Sequence, residues 1–251
     1  MQRIEHPVGN YSFASGIAPY SAGVIAHPGF ALVRVQFAQL LPVRAAFDAI
    51  DRHLAGIGRP RQALCAVELR IPAPLTFEGF IAFNRGYRDI LADWAILVGD
   101  HNPVARTNVA PAVAPPTEPS VYAFTYTVPA TGAPVSFVVA GAGDLRDQAD
   151  LSPSAIVAPG DTTHAGMYQK AVTVMSVMSD RLGALGVGWD AVTTVNLYTV
   201  EPPTSYFNNV LMPQLGSSLL HGVHWVYSRP PITGLDFEMD LRHVWRDERL
   251  V

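Results

Sequence analysis

The sequence predicts an α+β protein built from two copies of one unit, and three observations carry that expectation. The 251 residues are 49% hydrophobic and 15% charged, the balance of a chain with a large core rather than of a disordered one. Residues 47–71, FDAIDRHLAGIGRPRQALCAVELRI, run alongside 174–199, VMSVMSDRLGALGVGWDAVTTVNLYT. Leu54 falls on Leu182, Gly58 on Gly186, Val67 on Val195 and Leu69 on Leu197, all at one offset, the mark of an internal repeat. Each copy also closes on a run that alternates with period two, SVYAFTYTV and LDFEMDLRHV, as half-buried strands do.

Taken in order, each copy reads as an amphipathic helix, a glycine stop, a short loop and a strand. A proline loop follows, Pro72/Pro74 in one copy and Pro202/Pro203 in the other. A second helix is then expected to open on the same dipeptide, Phe83-Asn84 and Phe207-Asn208. Next come an apolar stretch, a Pro-Pro pair (Pro115-Pro116, Pro230-Pro231) and the final strand. PATGAP, 129–134, is a turn signal between strand runs, so the units are expected to be 1–130 and 131–251. Segments 144-DLRDQADLSPS-154 and 158-APGDTTHAG-166 read as loops of the second copy. Two early strands, a helix, a strand, a helix and two late strands per copy give a mixed sheet with helices on one face. The helix-free face needs cover, which predicts burial against other copies in a symmetric oligomer.

Composition also excludes partners. With a net charge of −4 and no basic run, nucleic acid is not expected. No stretch of 18 apolar residues is present to span a membrane, and MQRIEHPVGNY has no apolar signal core, so a cytoplasmic protein is expected. The single cysteine, Cys65, allows no internal disulfide and no cysteine-based zinc cluster; in LCAVELRI it reads as a core thiol.

Three motifs of the first copy, 17-IAPYSAGV-24, 83-FNRGY-87 and 103-PVARTNV-109, together with 138-VVAGAGD-144 and GWDAVTTVNLYT in the second, resemble the reactive intermediate deaminase family (RidA/YjgF). The resemblance covers nearly the whole chain as a tandem pair. It implies two chorismate-mutase-like (RidA-like) domains, a trimeric assembly with sites in clefts between domains, and hydrolysis of an enamine or imine to a keto acid and ammonia without a cofactor. A doubled chain with an arginine in only one copy suggests a larger conjugated substrate, an aminomuconate. Two rivals stay open: a non-catalytic ligand-binding protein of this fold, and a chorismatase-like hydrolase.

Arg106 is the central candidate. A guanidinium in an apolar, strand-like run needs an anion, either a substrate carboxylate or a structural acid such as Asp89, Asp93 or Asp100. By the resemblance Tyr20 lines the pocket, Asn84 is a pocket asparagine (or a helix N-cap), Asn208 is its counterpart, and Gly141 lies in the turn after the family's second strand. Counting back from the second Pro-Pro pair lands on His221 in place of the arginine. His221 and His224 resemble a metal pair, but residues three apart on a strand point to opposite faces, so no metal is expected and a catalytic His221 with a pocket-lining His224 is the alternative to interface histidines. Glu238 aligns with the family's glutamate, which positions the hydrolytic water, and the first copy has Tyr122 or Ala123 there. One copy thus keeps the arginine and the other the glutamate, which suggests a composite site.

Overall fold

The computed structural model describes residues 1–250. Three short strands open it, β1 (Arg3–His6), β2 (Tyr11–Ala14) and β3 (Gly23–Ala26). The first half continues through β4 (Phe30–Pro42), α1 (Val43–Gly56), β5 (Leu64–Arg70), α2 (Phe77–Asp93), β6 (Ala105–Pro111) and β7 (Ser120–Pro129). The second runs through β8 (Phe137–Gly143), α3 (His164–Leu185), β9 (Thr194–Tyr198), helical turns over 203–221, β10 (His224–Val226), β11 (Ser228–Arg229), β12 (Glu238–His243) and β13 (Arg246–Leu250).

The strands form two mixed sheets, and the halves use one plan. The order is β4-β7-β5-β6 in one sheet and β8-β12-β9-β10 in the other. Both series run antiparallel, antiparallel, then parallel. The aligned glycines have a physical reason: Gly58 follows α1 at φ +69° and Gly186 caps α3 at φ +77°, a left-handed geometry that only glycine adopts at little cost.

Sheet membership cuts across the 1–130/131–251 division. The opening hairpin joins the second half's sheet through β3–β8, and β13 joins the first half's sheet beside β4. Only β8 precedes α3 in the second half, where two early strands were expected; β2 and β3 lie beside it instead.

The second helices also differ from expectation. α2 starts six residues before Phe83, where Thr76 Oγ1 accepts the Gly79 N–H at 3.0 Å, so Phe83 and Asn84 lie within it and Asn84 is not a cap. Its counterpart is a π-turn over Phe207–Leu211 and a short α-turn over Met212–Leu215. Pro213 and Gly216 interrupt the run there, the first by lacking an N–H.

Each sheet covers one face with helices. Val195, Leu197, Met239 and Leu241 pack with Val174, Met178 and Leu182 of α3, while Val67, Leu69, Val121 and Phe124 pack with Phe47, Ile50, Tyr87 and Leu91 of α1 and α2. The helix-free faces meet each other within the one chain. Tyr11, Phe13, Val24 and Ala140 from one sheet pack on Leu32, Cys65, Ala66 and Ala105 from the other. Cys65 is the core thiol expected, and burial pushes its pKa up. Beyond this apolar patch the same faces carry charged and polar side chains, Arg34, Glu68 and Arg70 on one and Asn196, Glu238, Asp240 and Arg242 on the other, all buried.

Candidate active site

Strand β6 divides its side chains between two environments, as period-two alternation requires. Ala105 packs between the sheets, and Thr107 Oγ1 donates to Asp240 Oδ2 across them at 2.7 Å. Arg106 takes the other side, where its Nη1 donates to Asn84 Oδ1 of α2 at 2.6 Å. Its guanidinium lies 4.7 Å from the Tyr20 ring centre, 5.0 Å from Tyr87 and 5.5 Å from Phe80, distances suited to cation–π attraction. Among the described residues Arg106 has no ion pair, so Asp89, Asp93 and Asp100 are not its partners. Arg106 is only 3% exposed, and a buried guanidinium without an anion is costly.

The polar groups around it are equally short of partners. Arg106 Nε, Asn84 Nδ2, Tyr87 OH and both side-chain polar atoms of Asn108 are buried and make no hydrogen bond. Native interiors hold few such atoms, and each calls for a reason. Arg106 and Asn108 line one cavity of about 30 Å³ together with Tyr20, Phe80, Gly141, Gln148 and Glu238 among others, while Asn84 and Tyr87 lie against Arg106. The cavity has room for about one water molecule.

Glu238 stands on the facing sheet, opposite Tyr198 on one side and Gly143 on the other. Among the described residues its carboxyl has no hydrogen bond and no ion pair. Burial raises its pKa well above the usual carboxylate range and Asp240 adds to that, while Arg181 and Arg106 pull the other way without prevailing. A β-carbon at Gly141 would run into Glu238 Oε1 and push the carboxyl aside, so glycine here leaves Glu238 its place. Arg181 of α3, also buried, donates to the carbonyls of Ala140 and Gly141 at 2.8 and 3.1 Å and so holds this stretch of β8.

The strand ends carrying Glu238 and Gly143 are tied together by the chain's single lysine. Lys170 of α3 is fully buried and pairs with Asp144 at 2.8 Å and Asp236 at 3.2 Å. Asp144 in turn accepts the Asp236 and Phe237 N–H groups at 3.1 and 3.2 Å. Removing one partner of such a buried pair is strongly destabilising, so the network fixes where β12 begins and hence where Glu238 stands.

Four of the residues singled out in the sequence therefore line one cavity: Arg106, Tyr20, Gly141 and Glu238. Asn84 stands behind Arg106 as its hydrogen-bond partner. The other three do not line it. Asn208 is exposed in the π-turn, and His221 is exposed at the end of a 3₁₀ turn. His224 lies on β10, where Nδ1 meets Asn196 Oδ1 at 3.2 Å. Counting back from the Pro-Pro pair misplaced the arginine's counterpart, because the chain leaves one sheet after β10 and enters the other as β11. Stepping back along the β9–β10 register puts Val223 opposite Val195, as Arg106 is opposite Val67. Likewise Ser120, opposite Arg70, holds the place that Glu238 holds opposite Tyr198, rather than Tyr122 or Ala123. No group of three or more histidine, cysteine, aspartate or glutamate side chains among the described residues could hold a metal ion.

Asn108, Arg181 and the Lys170–Asp144 pair were not anticipated. Asn108 was within reach of sequence reasoning, since a strand places it on the same face as Arg106 two residues earlier. Chemically, the cavity offers an anion site on Arg106, neutral donors and acceptors beside it, and across from it an acid whose burial favours the protonated form.

A sequence profile described as "2-aminomuconate deaminase CnbZ" matches residues 3–248. The chain is 42% identical over 243 residues, 95% of each sequence, to a 2-amino-5-chloromuconate deaminase of Comamonas testosteroni. Among solved structures, a chorismatase is 11% identical with a TM-score of 0.47, covering 91% of this chain and 78% of its own. An L-PSP protein from Entamoeba histolytica is 15% identical with a TM-score of 0.32, covering 43% of this chain and 79% of its own.

Proposed function

The chain belongs to the 2-aminomuconate deaminase CnbZ family, and from that premise we propose that it hydrolyses a 2-aminomuconate-type enamine to the corresponding oxo or hydroxy acid and ammonia at the cavity between Arg106 and Glu238. The observation that carries this reading is the cluster of unpaired buried polar atoms around an unpaired Arg106. Such a cluster is costly in an empty protein and is satisfied by a carboxylate and a water.

In this mechanism the Arg106 fork takes a substrate carboxylate, and Asn108, which lines the same cavity, completes its hydrogen bonds. Glu238, protonated at the start, supplies the proton that converts enamine to imine. Water then adds to the carbon of the protonated imine and gives one proton to the glutamate, which passes it to the amine nitrogen; ammonia leaves as the C–N bond breaks, and the hydroxyl proton returns to the glutamate. One water is consumed, one ammonia is released, and Glu238 ends protonated. A six-carbon diacid is larger than the cavity of about 30 Å³, part of whose lining, Leu145, Gln148 and Leu151, comes from the segment after β8.

Glu238→Gln tests the assignment, because it keeps the shape and removes the proton. With ammonia release as readout, kcat is expected to fall by about 10²–10⁴-fold with KM little changed. Ammonia release at the parental rate by the Gln variant would move the chemistry elsewhere, and no ammonia from the parent protein on any aminomuconate would favour a ligand-binding role. The same proposal takes 1–130 and 131–251 as the two duplicated units, in a homotrimer with a cytoplasmic setting. Trp225 and Tyr227, both about half exposed beside edge strand β10, are the surface that supports assembly, and light scattering tests it.

A further inference from the structure

The charged end of the space between the sheets holds a second pocket, of about 580 Å³, which the Arg106 chemistry does not use. Arg34, Glu68, Arg70 and Tyr122 line it from one sheet, and Tyr198 and Arg242 from the other. Its two buried acids are already filled. The oxygens of Glu68 accept Arg34 Nε and Nη2 at 2.5 and 3.0 Å. Asp240 Oδ1 accepts from Asn196 at 2.8 Å, and its Oδ2 from Thr107 and Tyr198 at 2.7 and 2.8 Å.

Two guanidinium groups are left over. Arg242 is 8% exposed; its guanidinium makes no hydrogen bond among the described residues, and its Nε is enclosed without a partner. Its nearest carboxylate oxygens, on Glu68 and Asp240, are 3.9 Å away. Arg70 is 7% exposed and makes a single hydrogen bond, to its neighbour's carbonyl at 2.9 Å. Its guanidinium lies 4.3 Å from the Tyr122 ring centre and 4.0 Å from Glu68. Each arginine has five N–H donors, so two forks with ten donors between them make one hydrogen bond. Glu68 and Asp240 balance their charge from 3.9 to 4.0 Å but leave those donors unfilled, and the space beside them is open to a ligand that fills them.

We propose that this pocket is a second binding site, distinct from the Arg106 cavity, that takes a small carboxylate anion between Arg70 and Arg242. The planar forks match a two-oxygen anion. The lining holds four arginines, with Arg249, against three acids, with Asp247 and Glu248 beside Glu68. Asp240, 3.9 Å from Arg242, balances the fourth arginine, so the pocket has no surplus of positive charge for a polyphosphate and suits a single carboxylate.

Malonate titrated calorimetrically into the full chain carrying Arg106→Ala, which lacks the first anion clamp, tests this. One saturable site is expected, weakened at least tenfold by adding Arg242→Gln or Arg70→Gln, with phosphate at equal ionic strength binding less well. Absence of malonate binding to the Arg106→Ala protein overturns the proposal, as does unchanged binding after the second substitution. Should the double variants fail to fold, a crystal of the parent protein soaked in malonate decides. Malonate bridging Arg70 and Arg242 supports the site. Malonate on Arg106 alone, or an acidic side chain of a second copy filling the pocket, overturns it.

Discussion

Glu68 and Glu238 sit on the facing, helix-free sides of the two sheets, both buried, yet their carboxyls move in opposite directions. For each, burial is the largest influence and acts upward. At Glu68 it is outweighed by Arg34, Arg242 and Arg70, so the group is held below the usual carboxylate range. At Glu238 the cations Arg181 and Arg106 act only through space, Asp240 opposes them, and the pKa stays high. The difference is contact: Glu68 accepts two bonds from one guanidinium fork, while Glu238 accepts none. Burial alone therefore does not distinguish a structural acid from a reactive one. A hydrogen-bonded cation stabilises the ionised form, and its absence leaves a proton available for transfer.

The sharpest way to break this comparison is to remove the structural acid. Glu68→Ala leaves three buried guanidinium groups around an empty place, and it is expected to cost about 3–5 kcal/mol of stability in urea unfolding. A loss below about 1 kcal/mol, the range of surface pairs, would show that Glu68 is not the anchor. The arginines should divide in the same way. Arg106→Ala is expected to lower kcat/KM by about 2–4 kcal/mol of transition-state stabilisation, with Arg106→Lys restoring little of it because a point charge does not replace the fork. Steady-state kinetics on both variants, with melting curves to show that they remain folded, measure this directly.

pH sharpens the contrast further. Because the folded-state pKa of Glu238 is raised, the native protein holds a proton that the unfolded chain releases near pH 4.3, the ordinary glutamate value of about 4.3. Stability from this group therefore falls as pH rises from there to the raised pKa. Glu238→Gln removes that loss, so the variant should be more stable than the parent at pH 7, and the gain should vanish toward pH 4. Glu68 has the opposite sign. Its contribution is present above the unfolded-state value and is lost as pH falls through its depressed pKa. Equal melting curves for the Glu238→Gln protein and its parent across this range would contradict a raised pKa. The smallest effect is expected at the bridge between the two regions, where Thr107→Val removes one hydrogen bond to Asp240 at a cost of about 1 kcal/mol, detectable as a shift in the urea midpoint.

Much of the fold was legible because it repeats. The offset that aligned Val67 with Val195 and Gly58 with Gly186 also aligns strands of the same order and sense. Half of the site was legible for chemical reasons, since a lone arginine in an apolar strand and a glutamate in a period-two run each demand an explanation. The second copy misled the reading in two places: Pro213 and Gly216 replace a helix by turns, which leaves Asn208 exposed, and the passage from β10 into the other sheet as β11 upsets the count from the Pro-Pro pair that gave His221.

The sequence by itself determined the α+β class, the helices with their left-handed glycine stops, and the alternation that sends Arg106 one way and Thr107 the other. These are local properties, decided by the period of side chains along a few turns or strand residues. Only the tertiary structure decided that the opening hairpin and the last strand change sheets, that the helix-free faces meet within one chain, and that Glu238 lies across one cavity from Arg106 while Asp240, two residues on, bonds to Thr107. These depend on contacts between different elements, some far apart in the chain (133 positions for Thr107 and Asp240), chosen by which faces can be buried together, and no local pattern in either segment specifies its partner.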